Sequence, residues 1–195
     1  MYYINIILAV ILLTSCATSH DQGEQTSSGL SADMQSESEH LKYNRAISLL
    51  NEGKSEQAQK IFLQFNSERP ELAGPYANLA MIALRNKEND KALNYINQAL
   101  TKNPDFPQAL NIFGYLKLSS GDIKTAEQSY LKATKLDDNF ALAHYNLALL
   151  YDIYLQNIPK AIHHYERYLK LINYTDKQTV EWLNQLRSSF SSKKG

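Results

Sequence analysis

Small residues recur along this 195-residue chain at a fixed step of 34 positions, and this recurrence constrains the fold most strongly. Two series of alanine or glycine follow the step: Ala46, Ala80, Gly114 and Ala148, and Ala58, Ala92 and Ala126. Ala161 extends the second series one residue late, Pro70 and Pro104 share the step, and Asp138 takes the third place. A period of this length predicts stacked structural repeats, in which each unit covers the apolar face of its neighbour.

Residues 73–106 show how the period becomes structure. A first amphipathic helix is predicted from apolar residues at i, i+3, i+4 and i+7, namely Tyr76, Leu79, Ala80 and Ala83. A polar run from 85 to 90 ends this stripe, and a second stripe begins at Ala92. The small side chains of Ala80 and Ala92 let the two helices cross closely, and Pro104 ends the second helix.

The period and the small crossing residues resemble the tetratricopeptide repeat over about residues 39–172. The resemblance implies an all-α fold, an α-solenoid of four helix-turn-helix hairpins plus a C-terminal capping helix. We expect a repeat domain over 40–173, with hairpins at about 39–72, 73–106, 107–140 and 141–174. The capping helix is predicted over 175–191, and 192–195 should fray. One extra residue in the fourth hairpin predicts a longer turn at 154–157, which serves either the structure or a contact.

The N-terminus resembles that of an exported lipoprotein. Residues 4–13 are almost continuously apolar, which is too short to span a bilayer but typical of a signal peptide, predicted here over 1–15. The sequence Leu13-Thr14-Ser15-Cys16 resembles the bacterial lipobox and contains the only cysteine. The resemblance implies that Cys16 is lipidated. It also implies an outer-membrane protein facing the periplasm, because Ala17 stands where an aspartate would retain a lipoprotein in the inner membrane. An uncleaved anchor or a buried apolar N-terminus is the alternative.

Composition separates an N-terminal linker from the repeats. Residues 17–39 contain five acidic residues, no Lys or Arg and little apolar surface, so a disordered acidic tether is predicted over 16–39. In the whole chain, 20 basic residues balance 20 acidic ones, which gives no electrostatic argument for a nucleic-acid partner.

The sequence contains no recognisable catalytic motif. It has no Gly-rich phosphate loop, no paired-cysteine metal site and no nucleophile signature, so we expect neither an enzyme nor a protein with a cofactor or small-molecule substrate. His163 and His164 are adjacent and would point about 100° apart on a helix. His144 could join one of them, but no carboxylate or thiolate stands at ligand spacing, and no metal site is predicted.

A series of asparagines suggests a binding surface. Asn44, Asn78 and Asn146 each stand two residues before a small crossing residue, whereas the third repeat has Ile112 there and Asn111 beside it. The resemblance implies that this position faces a concave groove, where an amide can bind the backbone of an extended peptide. The alternative is a tolerated polar residue on a solvated face. The other predicted groove residues are Tyr43, Ile47, Met81, Arg85, Tyr115, Tyr145 and Asp152.

Tyrosines cluster in the fourth repeat, at 151, 154, 165 and 168, either as packing between helices or as an aromatic contact patch. We predict a membrane-anchored, non-enzymatic adaptor that binds a protein or peptide partner in an envelope complex. The chain resembles small exported tetratricopeptide lipoproteins of Gram-negative bacteria, which implies Ton-type energy transduction. A pilotin-like assembly factor for a type IV pilus secretin and an adaptor for cell-wall enzymes are the alternatives. The paired lysines of the carboxylate clamp are not matched.

Overall fold

The computed structural model describes residues 27–192, with side chains described from residue 37 onward. This part of the chain contains nine α-helices, one π-helical segment and no β-strand, so the predicted all-α class is confirmed. The helices are α1 (Ser27–Asn51), α2 (Ser55–Glu68), α3 (Ala73–Arg85), α4 (Asn89–Lys102), α5 (Pro107–Ser119), α6 (Ile123–Leu136), α7 (Ala141–Leu149), α8 (Ile158–Leu171) and α9 (Lys177–Ser192). The π segment, Leu150–Tyr154, continues α7 and is called the π turn below. The predicted signal peptide and Cys16 lie outside the described residues.

The first helix begins earlier than the sequence predicted. α1 starts at Ser27, within the stretch that its low apolar content assigned to a tether up to residue 39. Extending an existing helix adds one backbone hydrogen bond for each residue fixed and requires no buried face. The Ala, Met, Gln and Glu residues of this stretch are compatible with such an extension.

Two compact units divide the chain, the first ending at Phe65 and the second beginning at Asn66. In the first unit α1 and the start of α2 form a hairpin. The Tyr43 ring meets the rings of Phe62 and Phe65 edge-on, with centroids 5.5 Å apart in both cases. Gly53 closes the turn at φ 76°, a left-handed conformation that favours glycine.

The second unit contains three hairpins, α3–α4, α5–α6 and α7–α8, followed by α9. The small residues of the 34-residue series are fully buried where the helices pack: Ala80, Ala92, Ala126, Ala148 and Ala161. Gly114 lies against the ring of Tyr130, and a Cβ at this position would be 2.7 Å from Tyr130 Cε1. Because such a contact is closer than atoms tolerate, this crossing accommodates only glycine while Tyr130 keeps its place.

The turns of the second and third hairpins follow one pattern. Lys87 and Gly121 occupy equivalent places and both adopt a left-handed conformation, at φ 62° and 85°. The next amide in each hairpin closes the end of the first helix, Glu88 N donating to Ala83 O and Asp122 N to Lys117 O, both at 2.9 Å. This is the Schellman arrangement, which satisfies carbonyl groups that the helix end leaves without partners.

The fourth hairpin absorbs its extra residue in the helix. At the π turn Leu155 N donates to Leu150 O at 3.0 Å, and Asn157 N donates to Tyr151 O at 2.8 Å. The left-handed place moves one residue along, to Gln156 at φ 50°. The predicted longer turn is therefore in large part a widened last turn of the first helix, a feature found frequently at functional sites.

The last helix packs on the fourth hairpin. Asp176 caps α9, because its Oδ1 accepts a hydrogen bond from Thr179 N at 3.1 Å. Leu183 is buried in one cluster with Tyr165 and Leu169 of α8. Across residues 27–192, none of the helices is both long enough and apolar enough to cross a membrane.

Candidate functional site

The first helices of the three hairpins in the second unit form one row. α3 contacts α5, and α5 contacts α7. The second helices α4, α6 and α8 make no comparable contacts with one another within the described chain. Stacked hairpins curve when one row is packed more closely than the other, and the closer row lies on the inner side. The row α3–α5–α7 is therefore the candidate binding surface of this unit.

Charge is distributed unequally between the two rows. The inner row contains three charged residues in α3, α5, α7 and the π turn, counting Lys, Arg, Asp and Glu: Arg85, Lys117 and Asp152. The second helices α4, α6 and α8 carry eleven such residues. Lys117 lies over the Phe113 ring at 5.2 Å from its centroid, where the ring face attracts the cation. The inner row is therefore almost neutral, and the outer row is charged.

Two of the predicted asparagines lie on the inner row. Asn78 is partly buried, and its Nδ2 donates to the backbone oxygen of Gly74 at 3.1 Å. Asn146 Nδ2 donates to Asn111 Oδ1 at 2.9 Å, which joins α7 to α5. Asn111 is buried, at 4% exposure, and stands one place from the predicted series. Through this hydrogen bond the third repeat contributes an amide to the inner row, although Ile112 occupies the position of the series.

The other predicted groove residues differ in exposure. Arg85 is exposed at the end of α3, whereas Met81, Tyr115 and Tyr145 are partly buried on α3, α5 and α7. In the first unit Tyr43 and Ile47 are partly buried on α1, and Asn44 is exposed. The exposure of these side chains does not test whether they bind a partner, so the groove assignment stays a prediction.

Asp152 has two partners within the protein. Its Oδ2 accepts hydrogen bonds from Tyr165 OH at 3.1 Å and from Trp182 Nε1 at 2.7 Å. Burial raises the pKa of the Tyr165 hydroxyl well above its ordinary value, and the Asp152 carboxylate raises it further. Asp152 therefore fastens α8 and α9 to the end of the first helix. The role of Trp182 was missed, since the sequence showed only that it stands beside the apolar face of the last helix.

An exposed apolar run follows Asp152. Ile153, Tyr154 and Leu155 are 47%, 49% and 40% exposed. The equivalent turn of the third hairpin is Ser119-Ser120-Gly121, and that of the second is polar as well. Consecutive exposed apolar residues are unusual on a solvated surface and commonly mark an interaction site. This run, called the apolar turn below, is a second candidate contact surface.

The remaining tyrosines of the fourth repeat pack between helices. The Tyr145 ring lies 4.9 Å from that of Tyr168 and 6.2 Å from that of Tyr165. Tyr151 OH donates to Glu127 Oε1 at 2.7 Å, and Tyr168 OH donates to Asp176 Oδ2 at 3.1 Å. Burial is the main reason that the pKa values of these two hydroxyls are raised. The packing interpretation therefore describes these residues, and Tyr154 alone of the cluster is largely exposed.

Two histidines meet inside the fourth hairpin, with His144 Nδ1 and His164 Nδ1 3.0 Å apart. His163, next in the chain, is exposed, and its ring meets that of His164 edge-on with the centroids 5.0 Å apart. Within the part of the chain that the structure describes, no three His, Cys, Asp or Glu side chains are grouped so that they could hold a metal ion.

Comparison with known proteins identifies the repeats. Models of the tetratricopeptide repeat match residues 43–107 and 114–152, together more than half of the chain. Among curated proteins, mouse protein O-mannosyl-transferase TMTC3 is 39% identical over 77 residues, which is 39% of this chain and 8% of the mouse protein. The human counterpart is 38% identical over 77 residues, with the same coverage. The chain thus spans less than a tenth of the length of these relatives.

Several solved structures share the fold. PilF of Pseudomonas aeruginosa is similar with a TM-score of 0.69 and 20% identity, over 80% of this chain and 71% of that protein. A thermophilic TPR protein of Thermus thermophilus gives 0.62 and 20%, over 76% and 80%. The first TPR of Spaghetti (RPAP3), bound to an HSP90 peptide, gives 0.55 and 16%, over 61% and 93%. Because models of this repeat match more than half of the chain, the chain belongs to the tetratricopeptide-repeat family.

Proposed function

We propose that this protein is a non-enzymatic adaptor that binds an extended, uncharged segment of a partner protein along the inner row α3–α5–α7. The observation that carries the proposal is the charge distribution, three charged residues on the inner row against eleven on the outer one. A surface that excludes charge favours a neutral partner, because a buried ion without a partner is costly.

The amides of the row suit the backbone of such a segment. An extended chain offers alternating donors and acceptors, and an asparagine amide provides both. Asn146 uses one Nδ2 hydrogen on Asn111, which fixes the orientation of its amide and leaves Oδ1 to accept from a ligand. Met81, Ile112 and Tyr115 are partly buried and supply apolar area beside the amides. Each hydrogen bond between an asparagine amide and the ligand would contribute about 1 kcal/mol, so the apolar contacts supply much of the affinity.

The TPR of Spaghetti offers a contrast in ligand chemistry. That module, which has the same fold, is bound to the HSP90 peptide SRMEEVD, a sequence with three acidic residues. In this chain the inner row of the second unit has two basic residues, and Lys117 is engaged with an aromatic ring. The row therefore offers little to neutralise an acidic peptide, which favours a neutral segment instead.

We also propose that the adaptor is attached to the outer membrane through a lipid on Cys16, on the evidence of the Leu13-Thr14-Ser15-Cys16 sequence. Attachment by two or three acyl chains would give stable membrane residence. The variant Cys16→Ser should lose incorporation of labelled fatty acid and move to the soluble periplasmic fraction. A variant that still fractionates with the outer membrane would contradict this attachment.

Site-specific photo-crosslinking tests the binding surface. A crosslinking residue at position 81 or 115 should capture a partner polypeptide, whereas one at Gln128 on α6 should not. Gln128 is the matched control because it is exposed on the outer row. Capture from position 128 but not from 81 or 115 would refute the inner row. A crosslinker at position 154 distinguishes the apolar turn, which becomes the site if it alone captures the partner.

The captured polypeptide also decides among the envelope systems. A component of Ton-type energy transduction is the proposed partner. Capture of a pilus secretin would instead support a pilotin-like assembly factor, and capture of a cell-wall enzyme would support an adaptor for such enzymes.

A further inference from the structure

We propose that the His144–His164 pair makes the fourth hairpin acid-sensitive, so that lowering the pH loosens α7 from α8 and releases the contacts that α9 makes with the π turn. This regulation is independent of the partner and of the binding surface proposed above. It follows from how the two rings meet and from the groups that surround them.

Hydrogen bonding fixes the tautomers of the pair. His144 is buried at 2% exposure, and its Nε2 lies 3.2 Å from the backbone oxygen of Asp138 and 3.5 Å from Asp138 Oδ1. Both oxygens only accept, so Nε2 of the neutral ring carries the hydrogen and Nδ1 is an acceptor. At a separation of 3.0 Å, His164 Nδ1 must therefore donate to His144 Nδ1.

This arrangement limits how many protons the pair can hold. One hydrogen fits between the two Nδ1 atoms. If both rings were imidazolium ions, two N–H groups would point at each other across 3.0 Å, with two positive charges in contact. The folded hairpin can therefore accept at most one additional proton here, whereas the unfolded chain accepts two.

The charges around the pair also oppose the first proton. On α8, the side chains of Lys160, His163 and Arg167 are near the rings. Asp138, before α7, is the one carboxylate in this set that would favour a charged ring, and it already pairs with Arg167. Burial is the largest cause of the lowered pKa of both rings, and it brings the pKa of His164 to about 4.

The π turn and α6 complete the surroundings of the pair. The Tyr151 ring stacks on His164 at 5.8 Å between centroids and 14° between planes, and it presents no charge to the imidazole. Its hydroxyl is directed to Glu127 of α6, and Lys160 Nζ lies over the Tyr151 ring. Tyr151 is thus in contact with His164 and directly precedes Asp152, which holds Trp182. A displacement of His164 therefore reaches the α9 contact through two adjacent residues.

The direction of the pH dependence follows from the two states. An unfolded histidine has a pKa of about 6.5, so below that pH the unfolded chain binds protons that the folded hairpin refuses. Stability is retained above pH 6.5 and is lost as the pH falls toward the folded pKa of about 4. For His164 alone, the unfolding constant should rise roughly 30-fold between pH 7.5 and pH 5. His144 adds to the loss in the same direction.

Trp182, the only tryptophan, reports this region directly. Urea unfolding followed by Trp182 fluorescence should show the unfolding constant of the wild type rising at least 30-fold from pH 7.5 to pH 5. The double variant His144→Leu, His164→Ser takes the equivalent residues of the third hairpin, Leu110 and Ser129, and should change less than about threefold. His40→Gln, at an exposed histidine of α1, is the control and should keep the wild-type response. A double variant as acid-sensitive as the wild type would overturn the proposal.

A measurement on the wild type covers the case in which the double variant does not fold. Ring-proton NMR of the intact protein should show that His164 gains its proton only near pH 4 and that the pair never gains two protons while folded. Uptake of a proton by both rings above pH 6, with the fold retained, would overturn the proposal.

Discussion

The third and fourth hairpins differ by one residue in length, and this residue changes what the end of the first helix can do. In the third hairpin a Schellman turn at Gly121 ends α5, and the exposed side chains there are serines. In the fourth, the π turn places Asp152 against Tyr165 and Trp182 and leaves the apolar turn exposed. The inserted residue thus gives the repeat scaffold a carboxylate that holds its last helix and an exposed apolar surface that the third hairpin lacks.

The two hairpins also solve their helix crossings differently. The third pairs Gly114 with Tyr130 of α6, and the fourth places Ala148 in one core cluster with Tyr165 of α8. The third hairpin is covered by the fourth, whereas the fourth is covered by α9. The dependence on α9 and on Asp152 should therefore be large for the fourth hairpin and small for the third.

Truncation after Asn173 should have the largest effect, because it removes α9. Leu183 is buried against α8, and Val180 and Leu186 pack around it. A fully buried aliphatic side chain contributes about 1.5–3 kcal/mol, and a domain of ordinary stability has about 5–15 kcal/mol in total. The truncated protein should aggregate or melt far earlier by circular dichroism and gel filtration. Removing residues 193–195 alone is the control, and a truncated protein that stays monomeric with unchanged melting would contradict the capping role.

Asp152→Ala should destabilise the fourth hairpin next most strongly. The Tyr165 hydroxyl is buried and would lose its acceptor, at a cost of about 1–3 kcal/mol. Chemical denaturation measures the loss, and Trp182 fluorescence shows whether α9 moves. Adding Tyr165→Phe removes the unsatisfied hydroxyl, so the double variant should recover part of the loss. Equal stability of Asp152→Ala and the wild type would show that the anchor contributes nothing.

Gly114→Ala probes the crossing of the third hairpin. The added methyl would clash with the Tyr130 ring, for a cost of about 1–3 kcal/mol, less the roughly 1 kcal/mol that alanine gains over glycine in a helix. Adding Tyr130→Ile recreates the second hairpin's pairing of Ala80 with Ile96 and should restore stability. If the thermal melt of the single variant matches that of the wild type, Tyr130 does not restrict this site.

The smallest effects concern the left-handed residues. Gly121→Ala meets no atom within 4 Å, so its cost comes from φ alone and should be about 1 kcal/mol. Gln156→Gly should instead stabilise the fourth hairpin by a fraction of that amount, because Gln156 already adopts a left-handed conformation. Opposite changes in urea midpoint are expected. Changes of the same sign would show that the two turns are not equivalent.

The sequence predicted the helical hairpins well because a single period imposes the same packing on each repeat. The spacing of Ala80, Gly114 and Ala148 is a property of the chain that any stacked arrangement must satisfy. The extra residue in the fourth hairpin was visible for the same reason. Its location was not, because the choice between a longer loop and a π turn depends on which backbone hydrogen bonds form.

The repeat spacing could not predict contacts between residues that are far apart in the sequence. Trp182 and Asp152 are 30 residues apart on different elements, and nothing in either stretch points to the other. The pairing of Asn146 with Asn111 was missed because the series counted only residues in strict register. His144 and His164 were noted together, but their separation depends on how closely α7 and α8 pack. α1 extends over part of the predicted tether, since composition reports on burial more than on helix continuation.

The affinity of the captured partner segment for two matched double variants tests the central claim most directly. One variant replaces Asn78 and Asn146 of the inner row by Ala, and the other replaces the exposed amides Asn94 and Gln128 of the second helices. Each inner amide is worth about 1 kcal/mol in binding, and the contributions need not add. The account predicts a loss of at least tenfold for the inner variant and less than about twofold for the outer one, with helicity unchanged in both. Wild-type affinity in the inner variant would contradict the claim that the partner binds along the first helices.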